Sequence, residues 1–352
     1  MRLLEALLAL WLPTCGGGDG QENVPNKDGP VKPVYSKSNY DVTPLPRERV
    51  AELAKKLSPE SYQVTQSAAT ERPFCGNLLD NKQEGVYVCI VCGLPLFSSD
   101  SKFHSGTGWP SFFQPFDPAH VVSGRDDSHG MTRDEIHCAR CTAHLGHVFD
   151  DGPKPTGLRF CLNSASLKFF EKSEALPPES QPVKFETAYF AAGCFWGVEH
   201  WFQHGPGVVD AVSGYMQGKV ENPTYREVCT DTTGHAETVK VVFDPARISY
   251  ERLLEAFFTL HDPTQVNGQG PDLGEQYRSG IWTTSDAQQK AAESYVKKLS
   301  GEKRFAGRKI ATQIEPAKKF WPAEDYHQDY VDKHPGSCHV VNPWKQGAAA
   351  GH

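Results

Sequence analysis

The sequence predicts two domains of different construction, a turn-rich all-β first half and a second half in which strands alternate with helices. Three observations carry this. The chain has 352 residues, about twice the usual length of one domain. From position 41 to about 172, short apolar or alternating runs such as 86–91 and 158–162 are punctuated by Gly, Pro, Asp and Ser. From position 184 onward, apolar residues recur first at strand spacing and then at helical spacing, the pattern of an α/β or α+β layer fold.

Taken in order, residues 1–15 open with Met1 and Arg2 and continue apolar from Leu3 to Leu12, broken by Glu5. About ten apolar residues are too few to cross a bilayer but suit a signal-peptide core. Cys15 follows, before Gly16, Gly17 and Gly18, which resembles a bacterial lipoprotein signal even though Pro13 and Thr14 stand where small residues are usual. The expected location is the cell envelope or periplasm with a lipid anchor at Cys15; the alternative is a cytoplasmic protein. Residues 16–40 read as a flexible linker. Residues 41–172 form the first domain, opened by a helix over 46–57 with Val50, Leu53, Ala54 and Leu57 on one face, the rest being β. A Pro-rich polar connection, 173–183, leads to the second domain, 184–345, and 346–352 form a tail. In the second domain 187–192 reads as a strand running into a helix from Cys194, and 237–243 as another strand. Ser249 caps a helix bearing Leu253, Leu254, Phe257 and Phe258, and Ser285 with Gln288 opens a helix that Gly301 stops.

Composition excludes some functions. Hydrophobic residues at 38% supply ordinary cores, which rules out a largely disordered chain. With 36 basic residues against 43 acidic ones and no long basic run, nucleic acid is not an expected partner. A monomer is expected.

The ten cysteines carry most of the chemistry. Cys89-x-x-Cys92 and Cys138-x-x-Cys141 have knuckle spacing, and two such pairs complete a closed, structural four-sulfur Zn2+ site. Two disulfides or redox pairs are the alternative. Residues 144–163 read as a hairpin that sets Cys161 across from His144 and His147, with Arg159 and Asn163 close by. Arg159 and His147 can lower the pKa of a thiol, and a histidine can move a proton. In the second half Cys194 sits at a strand-to-helix turn between Gly193 and a helix N-terminus, whose dipole favours a thiolate. Phe195 and Trp196 could form an apolar slot, and a partly buried Glu237 at a strand start could donate a proton.

These segments carry a resemblance. Ser105-Gly-Thr-Gly-Trp109-Pro-Ser-Phe112, His144-Leu-Gly-His147-Val-Phe149 and Arg159-Phe-Cys161-Leu-Asn163-Ser164 resemble methionine sulfoxide reductase B, and the match covers about 41–170. It implies a small mostly-β, zinc-containing domain of two antiparallel sheets, with Cys161 as nucleophile, Trp109 against the substrate's S-methyl group, and His144, His147 and Asn163 on the sulfoxide. Many members have a resolving cysteine where this chain has Thr107; Cys75 is the expected substitute. Gly193-Cys194-Phe195-Trp196-Gly197, Pro223-Thr-Tyr225, Thr233-Gly-His-Ala-Glu237, Asp272-Leu-Gly-Glu-Gln-Tyr277 and Tyr326-His-Gln-Asp-Tyr330 are similar to methionine sulfoxide reductase A, over about 184–342. This implies an α/β (α+β) sandwich with a ferredoxin-like core, Cys194 as nucleophile, Glu237 as acid, and Tyr225, Asp272 and Tyr277 around the sulfoxide oxygen. Glu275 departs from the Thr that members often carry. Cys338, in a Gly- and Pro-rich segment, would resolve the sulfenic acid on Cys194, and Cys229 is expected to be structural.

The resemblance implies a bifunctional enzyme that reduces the R epimer of methionine sulfoxide in its first half and the S epimer in its second. Thioredoxin or a thioredoxin-like dithiol would be the reductant, with no organic cofactor. A zinc-binding adaptor would lack Cys161 or Cys194, and a disulfide oxidoreductase would pair Cys194 with a cysteine three residues on; neither holds here.

Overall fold

The computed structural model describes residues 32–126, 133–337 and 340–345. The signal-like segment with Cys15, the tail 346–352 and Cys338 lie outside the described residues. Two large hydrophobic cores that share no residue occupy the two halves, one drawn from Tyr40 to Leu167 and the other from Ala188 to Ala323.

The first half runs α1 (Arg47–Ala54), α2 (Pro59–Ser67), β1 (Gly85–Cys89), β2 (Pro95–Ser98), β3 (Lys102–Phe103), β4 (Ser111–Phe112), β5 (Val121–Asp126), β6 (Arg133–Cys138), β7 (His144–Phe149), β8 (Arg159–Leu162) and β9 (Leu167–Glu171). The strands form a three-stranded sheet, β2-β1-β9, and a six-stranded sheet, β3-β4-β8-β7-β6-β5, with antiparallel pairing throughout. Tyr87, Phe97 and Phe112 are fully buried between them and stack edge to face or tilted.

Two expectations for this half are corrected. Helix α2 stands where only strands were expected. Ser58 accepts the Ser61 N–H, and Pro59 takes the first helical position, where a missing N–H costs nothing. The polar sequence of α2 hides its period, yet Val64 and Thr65 are buried. The end of the expected flexible linker, residues 32–40, is docked. Tyr40 joins the first core, the Ser36 hydroxyl meets His120 Nε2 at 2.9 Å, and the Tyr35 hydroxyl donates to Asp244 in the second half at 2.8 Å. Arg247 pairs with Asp41 beside that contact. The 173–183 connection is also held: Ser180 is buried and donates to the Gly93 carbonyl at 2.6 Å. Pro and polar residues signal an irregular backbone, and irregular backbone can still be tied down by hydrogen bonds.

The second half runs β10 (Glu186–Ala192), α3 (Phe195–Gln203), β11 (Val208–Met216), α4 (Tyr225–Val228), β12 (Ala236–Phe243), α5 (Tyr250–Leu260), β13 (Gly268–Gln269), β14 (Asp272–Leu273), β15 (Ser279–Thr283), α6 (Asp286–Ser300), β16 (Gln313–Pro316), β17 (Trp321–Pro322) and α7 (Tyr330–Lys333). Its six-stranded sheet has the order β16-β15-β10-β12-β11-β17. The four central strands are joined β-α-β-β-α-β through α3 and α5, a split βαβ arrangement. Only β16 adds parallel, on β15. Ser249 and Ser285 accept the N–H groups of Arg252 and Gln288, capping α5 and α6. Phe190 on β10 stacks on Phe202 of α3 and Phe257 of α5, which clamps both helices to the sheet. Cys194 is thereby fixed at the seam between β10 and α3.

Candidate active sites and metal centre

Cys89 at the end of β1, Cys92 in the following turn, Cys138 at the end of β6 and Cys141 in the turn after it converge in the interior, all buried. Cys89 Sγ lies 3.5 Å from Cys141 Sγ, and Cys92 Sγ lies 3.6 Å from Cys138 Sγ. All four sulfurs fall within 4.8 Å of one another. A disulfide would hold two sulfurs at about 2.05 Å. A tetrahedral centre with metal–sulfur bonds of about 2.3 Å spaces its sulfurs at about 3.8 Å. The residues therefore fit a closed four-thiolate metal site, and all four are free cysteines. Four close, buried thiolates need a cation among them to offset their repulsion.

The first candidate catalytic site lies where β7 pairs with β8. His147 is directly opposite Cys161 in the register. Trp109, His147, Cys161 and Asn163 line one small recess of about 90 Å³, which Thr70, Arg133 and Phe149 help to wall. The Thr107 hydroxyl is 3.8 Å from Cys161 Sγ. Burial pushes the Cys161 thiol above its ordinary pKa, and Thr107, Arg159 and Ser111 offset only part of that. Arg159 does pull the thiol down as expected, but burial outweighs it. The Arg159 guanidinium is bidentate on Asp151, at 2.8 and 2.9 Å, and lies over the Phe149 ring. His147 Nε2 bonds Asp126 at 2.9 Å.

His144 stands behind the recess. Its ring lies 5.6 Å from that of His147, and its Nδ1 is 2.5 Å from Glu135 Oε1. Burial holds its pKa below the ordinary value against the pull of Glu135. Asn163 is nearly inaccessible; its Oδ1 accepts the Glu71 N–H and its Nδ2 donates to the Leu145 carbonyl.

Sequence reasoning missed Glu71. Its carboxylate accepts the N–H groups of Ser164 and Ala165, at 2.7 and 2.9 Å, and its carbonyl accepts the Trp109 indole N–H at 3.2 Å. One buried residue thus frames both the tryptophan and the chain just after Cys161. Nothing in its local sequence marks it, because its partners lie 38 to 94 positions away. Cys75 is exposed in the next loop. That loop is tied to the one carrying Thr107 and Trp109 by a hydrogen bond from the Phe74 N–H to the Gly108 carbonyl, at 2.8 Å.

The second candidate site surrounds Cys194, the N-cap residue of α3. Gly193 has φ +86°, and a Cβ there would meet Gln269 of β13 at 2.6 Å, so both conformation and contact demand glycine. Glu237 at the start of β12 is buried and accepts the Phe195 N–H at 3.0 Å. Burial pushes its pKa up to about 8 against that bond, with Asp272 adding to the rise. Burial also pushes Tyr277 up to about 12, helped by the charges of Glu237, Asp272 and Cys194. Burial raises Tyr225 as well, with Cys229, Glu237 and Tyr277 contributing. Cys194, Tyr225, Cys229, Glu237, Asp272 and Tyr277 therefore share one electrostatic neighbourhood.

The two aromatics part company. Phe195 is buried in the core against Tyr215 and His327, while Trp196 stacks on Tyr330 of α7 at 3.7 Å. The Trp196 indole N–H donates to His327 Nδ1 at 3.0 Å, which puts the His327 proton on Nε2. Glu199, one turn into α3, is also buried. Burial pushes its pKa up to about 7, although Ser213 Oγ and the Asp329 N–H donate to its carboxylate.

The comparisons with known proteins divide the chain at the same place. Residues 186–350 match the family described as peptide methionine sulfoxide reductase, and residues 57–171 match the SelR domain. The second half is 56% identical over 154 residues to peptide methionine sulfoxide reductase MsrA of Acidobacterium capsulatum, covering 44% of this chain and 98% of that one. It is 53% identical to MsrA of Methanothermobacter thermautotrophicus, over 43% of this chain and 89% of that one. The first half is 53% identical over 141 residues to peptide methionine sulfoxide reductase MsrB of Xylella fastidiosa, covering 40% of this chain and 90% of that one.

Replacing Glu71 by alanine is expected to destabilise the first half by about 1–3 kcal/mol for each buried N–H left unpaired. Urea unfolding followed in the first half should show the loss, and a variant as stable as the parent would remove Glu71 from its framing role.

Proposed function

From the premise that the chain belongs to the methionine sulfoxide reductase B family through its first half and to the methionine sulfoxide reductase A family through its second, we propose a division of labour for its two thiols. The chain is a bifunctional peptide methionine sulfoxide reductase, acting on the R epimer in the first half and the S epimer in the second. The observation that carries the site assignment is the buried Glu237 carboxyl, held by the N–H of the residue that follows Cys194.

In the second half the Cys194 thiolate attacks the sulfoxide sulfur as the neutral Glu237 carboxyl protonates the oxygen. The transient bond between the two sulfurs and the methionine S–O bond then break as an S–O bond forms on Cys194, so methionine leaves and Cys194 is left as sulfenic acid. Tyr225, Tyr277 and Asp272 surround the oxygen. Trp196, fixed by His327 and Tyr330, walls the methyl group. In the first half Cys161 plays the same part, with His147, oriented by Asp126, moving the proton and Trp109 flanking the methyl group. A second thiol then condenses with each sulfenic acid, releasing water and leaving a disulfide. We assign that role to Cys75 for Cys161 and to Cys338 for Cys194. A dithiol of the thioredoxin type takes up each disulfide by exchange.

The four-cysteine centre holds zinc in this reading. Its sulfur spacing and all-thiolate donor set suit that ion, which would tie β1 to β6.

Three measurements test these assignments. With separated epimers, Cys161→Ser should abolish R-sulfoxide turnover alone and Cys194→Ser should abolish S-sulfoxide turnover alone; loss of both from either change would refute two independent sites. Cys75→Ser should slow dithiol-driven turnover of the R epimer while sparing its first turnover.

The second concerns pH. The Glu237 carboxyl is raised in the folded chain, so it is protonated and competent below about pH 8 and loses its proton above it. S-sulfoxide turnover should therefore fall on the alkaline side of that value, while the R-epimer profile lacks this limb. The same shift makes Glu237 lower stability as pH rises from the ordinary carboxyl range through about 8. An S-epimer limb unchanged in Glu237→Gln would exclude it as the acid.

In the third, Cys138→Ser should release zinc and unfold the first half while S-sulfoxide turnover persists. With Co2+ in place of zinc, retention of a sulfur charge-transfer band by that variant would contradict the four-thiolate site.

A further inference from the structure

Helix α3 carries His200, and its C-cap His204 follows four residues on, so both imidazoles lie on one side of its end. Their ring centroids are 4.5 Å apart. Helix α7 packs against that side and brings Asp332 to it. One ring nitrogen from each histidine and one carboxylate oxygen of Asp332 all lie within 4.8 Å of one another. Their arrangement is not that of an ordinary histidine–carboxylate hydrogen bond. His200 Nδ1 is buried and 2.7 Å from Asp332 Oδ1, yet it meets no hydrogen-bond geometry with any partner among the described residues. At 2.7 Å the pair is an ion pair, and opening it by about 0.6 Å would bring both atoms to the spacing of adjacent ligands around one tetrahedral ion. His204 is already oriented, because its Nδ1 bonds the His200 carbonyl at 2.7 Å.

We propose that His200, His204 and Asp332 form a second metal site, distinct from the four-cysteine centre, for a divalent transition ion such as zinc. Two imidazoles and one carboxylate are borderline donors that favour Zn2+, Co2+, Ni2+ or Cu2+ over Ca2+ or Mg2+. The exposed side of His204 and Asp332 leaves room for water as a fourth ligand, so the site is open where the cysteine centre is closed. A bound ion would cross-link α3, which starts beside Cys194, to α7, whose Tyr330 stacks on Trp196.

The test reads ion binding and is independent of turnover. The full chain, carrying zinc in its cysteine centre, is titrated with zinc against a chelating dye, and its Tm is followed with and without added zinc. One further equivalent is expected, with a zinc-dependent rise in Tm. His204→Gln and Asp332→Asn, both at exposed positions, should each weaken the further equivalent at least tenfold and remove the rise. With Co2+ in place of zinc, the further site should show weak d–d absorption without a sulfur charge-transfer band. A further equivalent that survives both substitutions overturns the proposal. So does one lost only with His137→Gln, which would place the ion at the Glu135, His137 and His144 group instead. Absence of any further equivalent at saturating zinc overturns it as well.

Discussion

The hydrogen bond from the Phe195 N–H to the Glu237 carboxylate joins the two halves of the chemistry at the second site. Reduction of a sulfoxide needs a thiolate aimed at sulfur and an acid aimed at oxygen, about one S–O bond apart. Phe195 is the first residue of α3, and Cys194 is its cap, so the proposed acid is fixed to the turn that carries the proposed nucleophile. The helix terminus that favours a thiolate also supplies the N–H that orients the carboxyl. The rest of the half serves this contact. Phe190 clamps α3 to the sheet, Gly193 permits the turn, and Glu199 braces α3 against β11 and the start of α7.

The first half meets the same requirement with β-structure alone. It has no helix terminus at Cys161, so orientation comes from strand register and from carboxylates behind the histidines. Register sets His147 opposite Cys161, Asp126 fixes His147, and Glu135 fixes His144. Glu71 then joins the Trp109 side of the recess to the Ser164 side. The four-cysteine centre ties β1, in one sheet, to β6, in the other.

Local chemistry was legible in the sequence wherever a motif lies on one element or one turn. Cys89-x-x-Cys92 with Cys138-x-x-Cys141, the hairpin carrying His147 and Cys161, and the strand-to-helix turn at Cys194 all come together as their spacing indicated. Long-range support was not legible. Glu71, Asp126, Glu199 and His327 act on partners far away in sequence, and a lone acid or histidine between polar neighbours carries no periodic signal. Helix α2 was missed because its apolar face is only two residues wide, although Ser58 and Pro59 gave a local start signal. Strand β11 went unassigned because Asp210 and Ser213 interrupt its apolar alternation, whereas in the sheet Ser213 finds a buried partner in Glu199.

The raised thiol at Cys161 has a consequence for how a repair enzyme survives its own substrate conditions. A thiolate is the species that hydrogen peroxide attacks, and exposure plus ionisation sets the rate of that damage. Burial keeps Cys161 mostly as the thiol when the recess is empty. A sulfoxide oxygen entering the recess would bring a proton acceptor beside His147 and Cys161, so loss of the thiol proton would be coupled to the presence of something to reduce. The second half reaches the same end from the acid side, since a Glu237 that is neutral near pH 7 has a proton to give only to an oxygen that enters its buried pocket. In both halves burial penalises a charge in the site, on sulfur in one and on oxygen in the other.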